Sequence, residues 1–132
     1  MANEPKKIVI VEDEPDTAEM FAEMMRLSGF TVLKSYGGTS AIALISNANP
    51  DAVVLDVMMP DLSGLEVLRF MRRDPRLAHI PVVVVSAKSL PSDIKEGLDA
   101  GASIYLTKPV AYQTLNEAVR DTIQVAEADR CS

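Results

Sequence analysis

Five short apolar runs punctuate the chain, at residues 8–11 (IVIV), 31–33 (TVL), 52–55 (AVVL), 80–85 (IPVVVV) and 104–106 (IYL). Most are rich in β-branched residues, whose stiff side chains pack well on a pleated surface. Three are nearly continuous rather than alternating, which predicts strands covered on both faces, as in a parallel sheet. Between the runs the apolar period changes from 2 to 3.6. Ala18, Phe21, Ala22 and Met25 fall at i, i+3, i+4 and i+7 and line one helix face, and Ala41, Leu44, Ile45 and Ala48 repeat that spacing. So do Gly64, Val67, Leu68 and Met71, and after the last run Ala111, Leu115, Ala118, Val119 and Thr122. Residues 91–100 give the weakest helical pattern, with Ile94 and Leu98 on one face and Gly97 costing about 1 kcal/mol relative to Ala. Gly29, Asn49 with Pro50, Asp74 with Pro75, and Gly101 stand where the first four helices should stop.

Strand and helix thus alternate five times, which predicts a doubly wound α/β domain with helices on both faces of one five-stranded parallel sheet. The 132 residues suit one domain, with a core spanning about 6–124 and short polar termini. A hydrophobic content of 48% can fill that core. The net charge of −6 argues against direct nucleic-acid binding, which needs Lys and Arg to neutralise phosphates. It argues equally against a basic membrane anchor, while fitting a cation or a partner with a basic face. Cys131 is the one cysteine, so no internal disulfide forms and a reducing compartment is expected. Without a signal-like apolar N-terminus or a run long enough to insert in a membrane, the expected location is cytoplasmic.

The informative polar residues cluster at strand ends. Glu12 and Asp13 follow the first run, Asp56 the third, Ser86 the fourth, and Lys108 lies two residues past the fifth. Parallel strands bring their C-terminal ends to one edge, where open α/β folds place their sites. Three acids, a hydroxyl and an ammonium then converge on one cleft. Close carboxylates repel and raise one another's pKa unless something positive intervenes. A divalent cation with oxygen ligands, such as Mg²⁺, relieves that repulsion, and Lys108 adds a second positive group. The combination suits phosphoryl transfer, with Asp56 as nucleophile, an acyl phosphate as product, and Ser86 placed to hydrogen-bond a new oxygen.

These residues sit in stretches that resemble response-regulator receiver domains. Residues 8–14 (IVIVEDE) resemble the family's first strand and acidic pair, and 56–64 (DVMMPDLSG) its phosphoacceptor loop. Residues 82–87 (VVVVSA) and 101–109 (GASIYLTKP) resemble its fourth and fifth strands, and the match runs in order from about 6 to about 124. The resemblance implies a flavodoxin-like sheet order of 2-1-3-4-5 and phosphorylation of Asp56. It implies Mg²⁺ or Mn²⁺ bound by Asp13, Asp56 and the Met58 main-chain carbonyl, with Glu12 joining directly or through water. It further implies that Lys108 pairs with the phosphoryl group, that Lys108–Pro109 is cis, and that Ser86 and Tyr105 form the switch. A sensor histidine kinase or histidine phosphotransfer protein would supply the phosphoryl group, and a downstream partner protein would read the switch. The chain would catalyse only its own phosphorylation and dephosphorylation, and so would not be an enzyme in the ordinary sense. Three departures stand out: Glu12 for the more usual Asp, Ser86 for Thr, and Val110 after Pro109 for Phe. Met58, two residues past Asp56, is bulky and expected to slow water attack on the acyl phosphate.

Each residue also has an ordinary explanation. Glu12 and Asp13 suit a helix start, with Pro15 just inside it. Asp56 suits a turn, Ser86 a strand end, Lys108 a solvated corner, Tyr105 half-buried sheet packing, and the five methionines from Met20 to Met59 core filling. His79, with no second His or Cys beside it, has no expected metal or catalytic role. Rival functions are an aspartyl-phosphate phosphatase of the haloacid-dehalogenase kind, a flavodoxin-like cofactor binder, and a degenerate receiver that acts only as a docking module. The first typically needs an acid where Met58 stands. The second needs a phosphate loop that residues 12–14 (EDE) would repel, and the third discards reactive groups that are all present.

Overall fold

A computed structural model describes residues 5–131, with side chains through residue 129. The polar start at residues 1–4 and the Cys131 thiol lie outside the described residues. The elements run β1 (Lys7–Val11), α1 (Pro15–Leu27), β2 (Thr31–Ser35), α2 (Gly38–Ala48), β3 (Ala52–Leu55), α3 (Gly64–Arg73), β4 (Val82–Ser86), α4 (Pro91–Asp99), β5 (Ile104–Thr107) and α5 (Tyr112–Cys131). The sheet is parallel throughout, in the flavodoxin-like order β2-β1-β3-β4-β5. Every strand forms where an apolar run predicted it. Ile80 and Pro81 stay outside β4: Pro81 has no N–H for a ladder, and its carbonyl instead accepts from Val53 N–H at 3.0 Å.

The continuous apolar runs are explained by two cores, one on each side of the sheet. Val9, Val11, Val53, Leu55, Val82 and Val84 point to one face and pack against α2 and α3. Their neighbours Ile8, Ile10, Ala52, Val54, Val83 and Val85 point to the other and pack against α1 and α5. Alternation survives as a division between two buried faces. The expected helix faces are buried at Ala18, Phe21, Ala22 and Met25 in α1 and at Gly64, Val67, Leu68 and Met71 in α3.

Helix ends follow the expected chemistry. Gly29 and Gly101 take φ of 93° and 116°, and Asn49 caps α2 in the left-handed region at φ 48°. Helix α5 continues to Cys131, well beyond the periodic stretch that ended near Thr122. Good helix formers, Ala126, Glu127 and Ala128, extend it, and Glu127 pairs with Lys6 at 3.1 Å.

Two expectations need correction. Ile94 and Leu98 do not form a buried face of α4: Ile94 is half-buried, Leu98 is 46% exposed, and Gly97 is the buried residue. The methionines from Met20 to Met59 are not uniformly core filler. Met25 is buried and Met24 and Met59 pack partly on the core, but Met20 and Met58 are about half exposed.

Candidate functional site

The C-terminal edge of the sheet gathers the residues singled out from the sequence. Glu12 and Asp13 leave β1 directly, Asp56 is the first residue after β3, Ser86 is the last of β4, and Lys108 follows β5. Backbone bonds continue the sheet into this edge. Glu12 N–H donates to Ser35 C=O at 3.0 Å, Asp56 N–H to Val11 C=O at 2.9 Å, and Lys108 N–H to Ser86 C=O at 2.9 Å. The site residues are therefore held by the same ladder that makes the fold.

One carboxylate oxygen from each of Glu12, Asp13 and Asp56 lies within 4.8 Å of the others. Glu12 and Asp56 are almost fully buried, and Asp13 is half-buried. Lys108 Nζ sits 2.7 Å from Glu12 Oε1 and 3.8 Å from Asp56 Oδ2. The ammonium thus bridges the two buried acids and lies closer to Glu12. Three carboxylates against one ammonium leave an excess of negative charge in a cleft that water reaches poorly. Burial, then the Glu12 charge, push the pKa of the Asp56 carboxyl up to about 6, with Lys108 opposing the rise. An all-oxygen donor set with surplus negative charge fits a hard divalent cation.

The remaining residues form a corner around Asp56. Met58 N–H reaches Asp56 Oδ1 at 3.4 Å, while the Met58 side chain is 53% exposed beside the cleft. Ser86 is fully buried and its Oγ accepts Lys88 N–H at 3.1 Å. Tyr105, half-buried, donates its hydroxyl to Lys88 C=O at 2.8 Å. Lys108–Pro109 is cis, as the resemblance implied. The helix-start explanation for Glu12 also holds in part, since its Oε2 accepts Glu14 N–H at 3.3 Å.

Gly64 and Asp61 lie in the stretch that resembles the phosphoacceptor loop, but their contacts, and the part played by Lys88, are tertiary. Gly64 opens α3 so close to the cleft that a Cβ there would lie 2.0 Å from Asp56 C=O. Asp61 carries the loop after Asp56 across to α2, where its carboxylate accepts Gly38 and Thr39 N–H, both at 3.1 Å. Those two amides at a helix start hold the Asp61 carboxyl at a pKa of about 2. Lys88 joins Ser86 to Tyr105 through its own peptide groups. Gly37 and Gly38, which leave room for the loop on α2, were the available signal for Asp61.

The family model described as the response regulator receiver domain matches residues 8–120. The polar-differentiation response regulator DivK of Brucella anthropi is 30% identical over 116 residues, covering 88% of this chain and 94% of DivK. The probable transcriptional regulatory protein TcrX of Mycobacterium tuberculosis is 40% identical over 110 residues, covering 83% of this chain and 46% of TcrX. This chain therefore spans nearly the whole of one relative and about half of the other. Among solved structures, the receiver domain of a Pseudomonas aeruginosa sensor histidine kinase, with a magnesium ion coordinated in its active-site cleft, superposes with a TM-score of 0.85. It is 26% identical, and the match covers 92% of this chain and 99% of that one. Among the described residues, no helix is long and apolar enough to cross a membrane.

Proposed function

From the premise that this chain belongs to the response-regulator receiver-domain family, we propose that it is a phosphoacceptor of a two-component relay, taking a phosphoryl group on Asp56. One observation carries this reading: the buried Asp56 carboxylate shares one cleft with Glu12 and Asp13, and Lys108 Nζ stands 3.8 Å away. A cytoplasmic sensor histidine kinase or histidine phosphotransfer protein donates the group, and a partner protein reads the result. Asp13, Asp56 and the Met58 carbonyl, with Glu12 directly or through water, would hold Mg²⁺ or Mn²⁺. When bound, that cation offsets the negative charge of the acids and of the incoming phosphoryl oxygens.

The chain's own groups account for the rest. An Asp56 oxygen attacks the donor's phosphorus, and the bond from phosphorus to the donor breaks. The leaving group departs with the electron pair, and Asp56 becomes an acyl phosphate. Near neutral pH Asp56 is mostly ionised despite its raised pKa, and so remains a nucleophile. The Lys108 ammonium, now on Glu12, turns to a phosphoryl oxygen, and the Ser86 hydroxyl donates to another. Hydrogen bonds to charged groups contribute about 1.5–3 kcal/mol each. A full swing of a two-state switch needs about 5.5 kcal/mol, so these two bonds bias the switch and a partner completes it. Dephosphorylation is a separate step: water attacks phosphorus, the bond from phosphorus to the Asp56 oxygen breaks with its electron pair going to the carboxylate, and inorganic phosphate leaves with the water's oxygen, its proton passing to the phosphate or to solvent. Met58 limits the approach of that water.

A small acyl-phosphate donor tests the proposal. With Mg²⁺ present, the intact mass should rise by one phosphoryl group in the wild type and not in Asp56→Asn. Equal gain in both proteins would sink the assignment of Asp56. Sustained turnover of a generic phosphate ester would instead favour a phosphatase.

A further inference from the structure

Helix α4 buries one residue, Gly97, and that residue faces the ring of Tyr105 on β5. A Cβ at position 97 would lie 2.6 Å from Tyr105 Cδ2 and 2.8 Å from Cε2, closer than carbon atoms pack. The ring can yield only by turning about its two side-chain torsions, and that movement breaks the bond from its hydroxyl to Lys88 C=O, 2.8 Å long. Lys88 N–H in turn donates to Ser86 Oγ at 3.1 Å. An unbroken path thus leads from the Ser86 hydroxyl through one residue to the Tyr105 ring, and from the ring to the bare flank of α4.

We infer that Gly97 is a positioning residue: its lack of a side chain seats Tyr105 against α4 and so lets events at Ser86 be felt by that helix. The inference rests on the phosphoacceptor reading above and adds a determinant outside the cleft. It makes a prediction opposite in sense to helix propensity, which alone would have Gly97→Ala favour the native α4. With the ring contact, Gly97→Ala expels Tyr105 from its seat, breaks its bond to Lys88, and uncouples α4 from the cleft.

Fluorine NMR of protein labelled with 3-fluorotyrosine tests this. The chain has three tyrosines, Tyr36, Tyr105 and Tyr112, and Tyr105→Phe assigns the signal of interest. In Gly97→Ala the Tyr105 resonance should move to the position of a solvent-exposed tyrosine, while the Tyr36 and Tyr112 resonances stay in place. Beryllium fluoride with Mg²⁺ serves as the phosphoryl analogue, and its affinity should fall about tenfold in Gly97→Ala, within the usual range of coupling between sites. In a Tyr105→Ala background the same glycine substitution should change affinity by less than about twofold, because the ring it displaces is gone. If Gly97→Ala does not fold alone, adding Tyr105→Ala should restore folding, and continued failure to fold overturns the inference. So does an unmoved Tyr105 resonance, or an equal loss of affinity in both backgrounds. Wild-type protein that binds no beryllium fluoride in Mg²⁺ overturns the phosphoacceptor reading itself. Normal wild-type binding matched by Gly97→Ala overturns only the role of Gly97.

Discussion

Helices α3 and α4 flank the same cleft but are held very differently. Helix α3 buries Gly64, Leu65, Val67, Leu68 and Met71 in ten residues, whereas α4 buries only Gly97 in nine. The last turn of α3 is tied down further. Arg72 donates to Gly101 C=O at 3.0 Å, Ala78 C=O at 3.1 Å and Ile80 C=O at 2.6 Å, and burial lowers its pKa. The first turn of α4 is closed by local bonds, Leu90 N–H to Asp93 at 3.2 Å and Ile94 N–H to Leu90 C=O at 3.1 Å; farther along, a long ion pair at 3.9 Å joins Glu96 to Arg69 of α3, and Leu98 is half exposed. The helix whose first residue, Gly64, packs on Asp56 C=O is therefore fixed, and the helix beside Tyr105 is lightly held. A phosphoacceptor needs the first property for positioning, and a switch needs the second, since moving elements come from the low-stability end of a structure.

The largest test of this contrast is core truncation on the two helices. Leu68→Ala in α3 should cost about 2–5 kcal/mol in urea unfolding, and Leu98→Ala in α4 less than about 0.5 kcal/mol. Comparable losses would mean α4 is as firmly packed as α3. Next in size is a stabilising change on the fixed side. Asp56 has a pKa of about 6 against an ordinary 3.8, so its ionised form disfavours the folded state. Without metal, Asp56→Asn should stabilise the protein at pH 7 by on the order of 1 kcal/mol, the shift being shared with Glu12 and Lys108 and partly screened by solvent. That gain is full above pH 6 and disappears as pH falls toward 4, where Asp56 is protonated in both states. Unfolding midpoints across that range, with a chelator present, should trace it, and a pH-independent gain would contradict the electrostatic cause.

A smaller effect concerns the loop that leads into α3. Asp61 is held at a pKa of about 2 by the amides of α2, so its contribution is present above about pH 4 and is lost as pH falls toward 2. Asp61→Ala should lower the melting temperature slightly at pH 7 and not at pH 2. It should also speed amide exchange at Gly38 and Thr39, read by NMR. Unchanged exchange there would show that the loop is not anchored on α2.

How far the sequence reveals this contrast differs between the two helices. Helix α3 is legible because Val67, Leu68 and Met71 sit at helical spacing and all reach the core. Helix α4 is misleading, since Ile94 and Leu98 satisfy the same rule while the buried contact is made by a glycine that periodicity counts as empty. What decides its packing is a tyrosine ring from β5, a tertiary fact that no local pattern contains. The site shows the same division. Strand ends named Glu12, Asp13, Asp56, Ser86 and Lys108 as neighbours, and the fold brings them to one edge. That Lys108 lies nearer Glu12 than Asp56, and that Lys88 links Ser86 to Tyr105, depends on side-chain directions fixed only once the sheet is assembled. The full length of α5 is less plain for another reason: past Thr122 the stripe thins to a buried Ile123 and a partly buried Ala126, and the last turns rest on good helix formers rather than on an apolar face.

The central claim is that Asp56 is the acceptor among three crowded acids, and chemical trapping tests it most directly. Borohydride reduces an acyl phosphate of aspartate to homoserine, which peptide sequencing locates. After incubation with a small acyl-phosphate donor and Mg²⁺, homoserine should appear at position 56, and omitting either Mg²⁺ or donor should abolish it. Reduction at Glu12 or Asp13 instead, or no reduced residue under full conditions, would contradict the account.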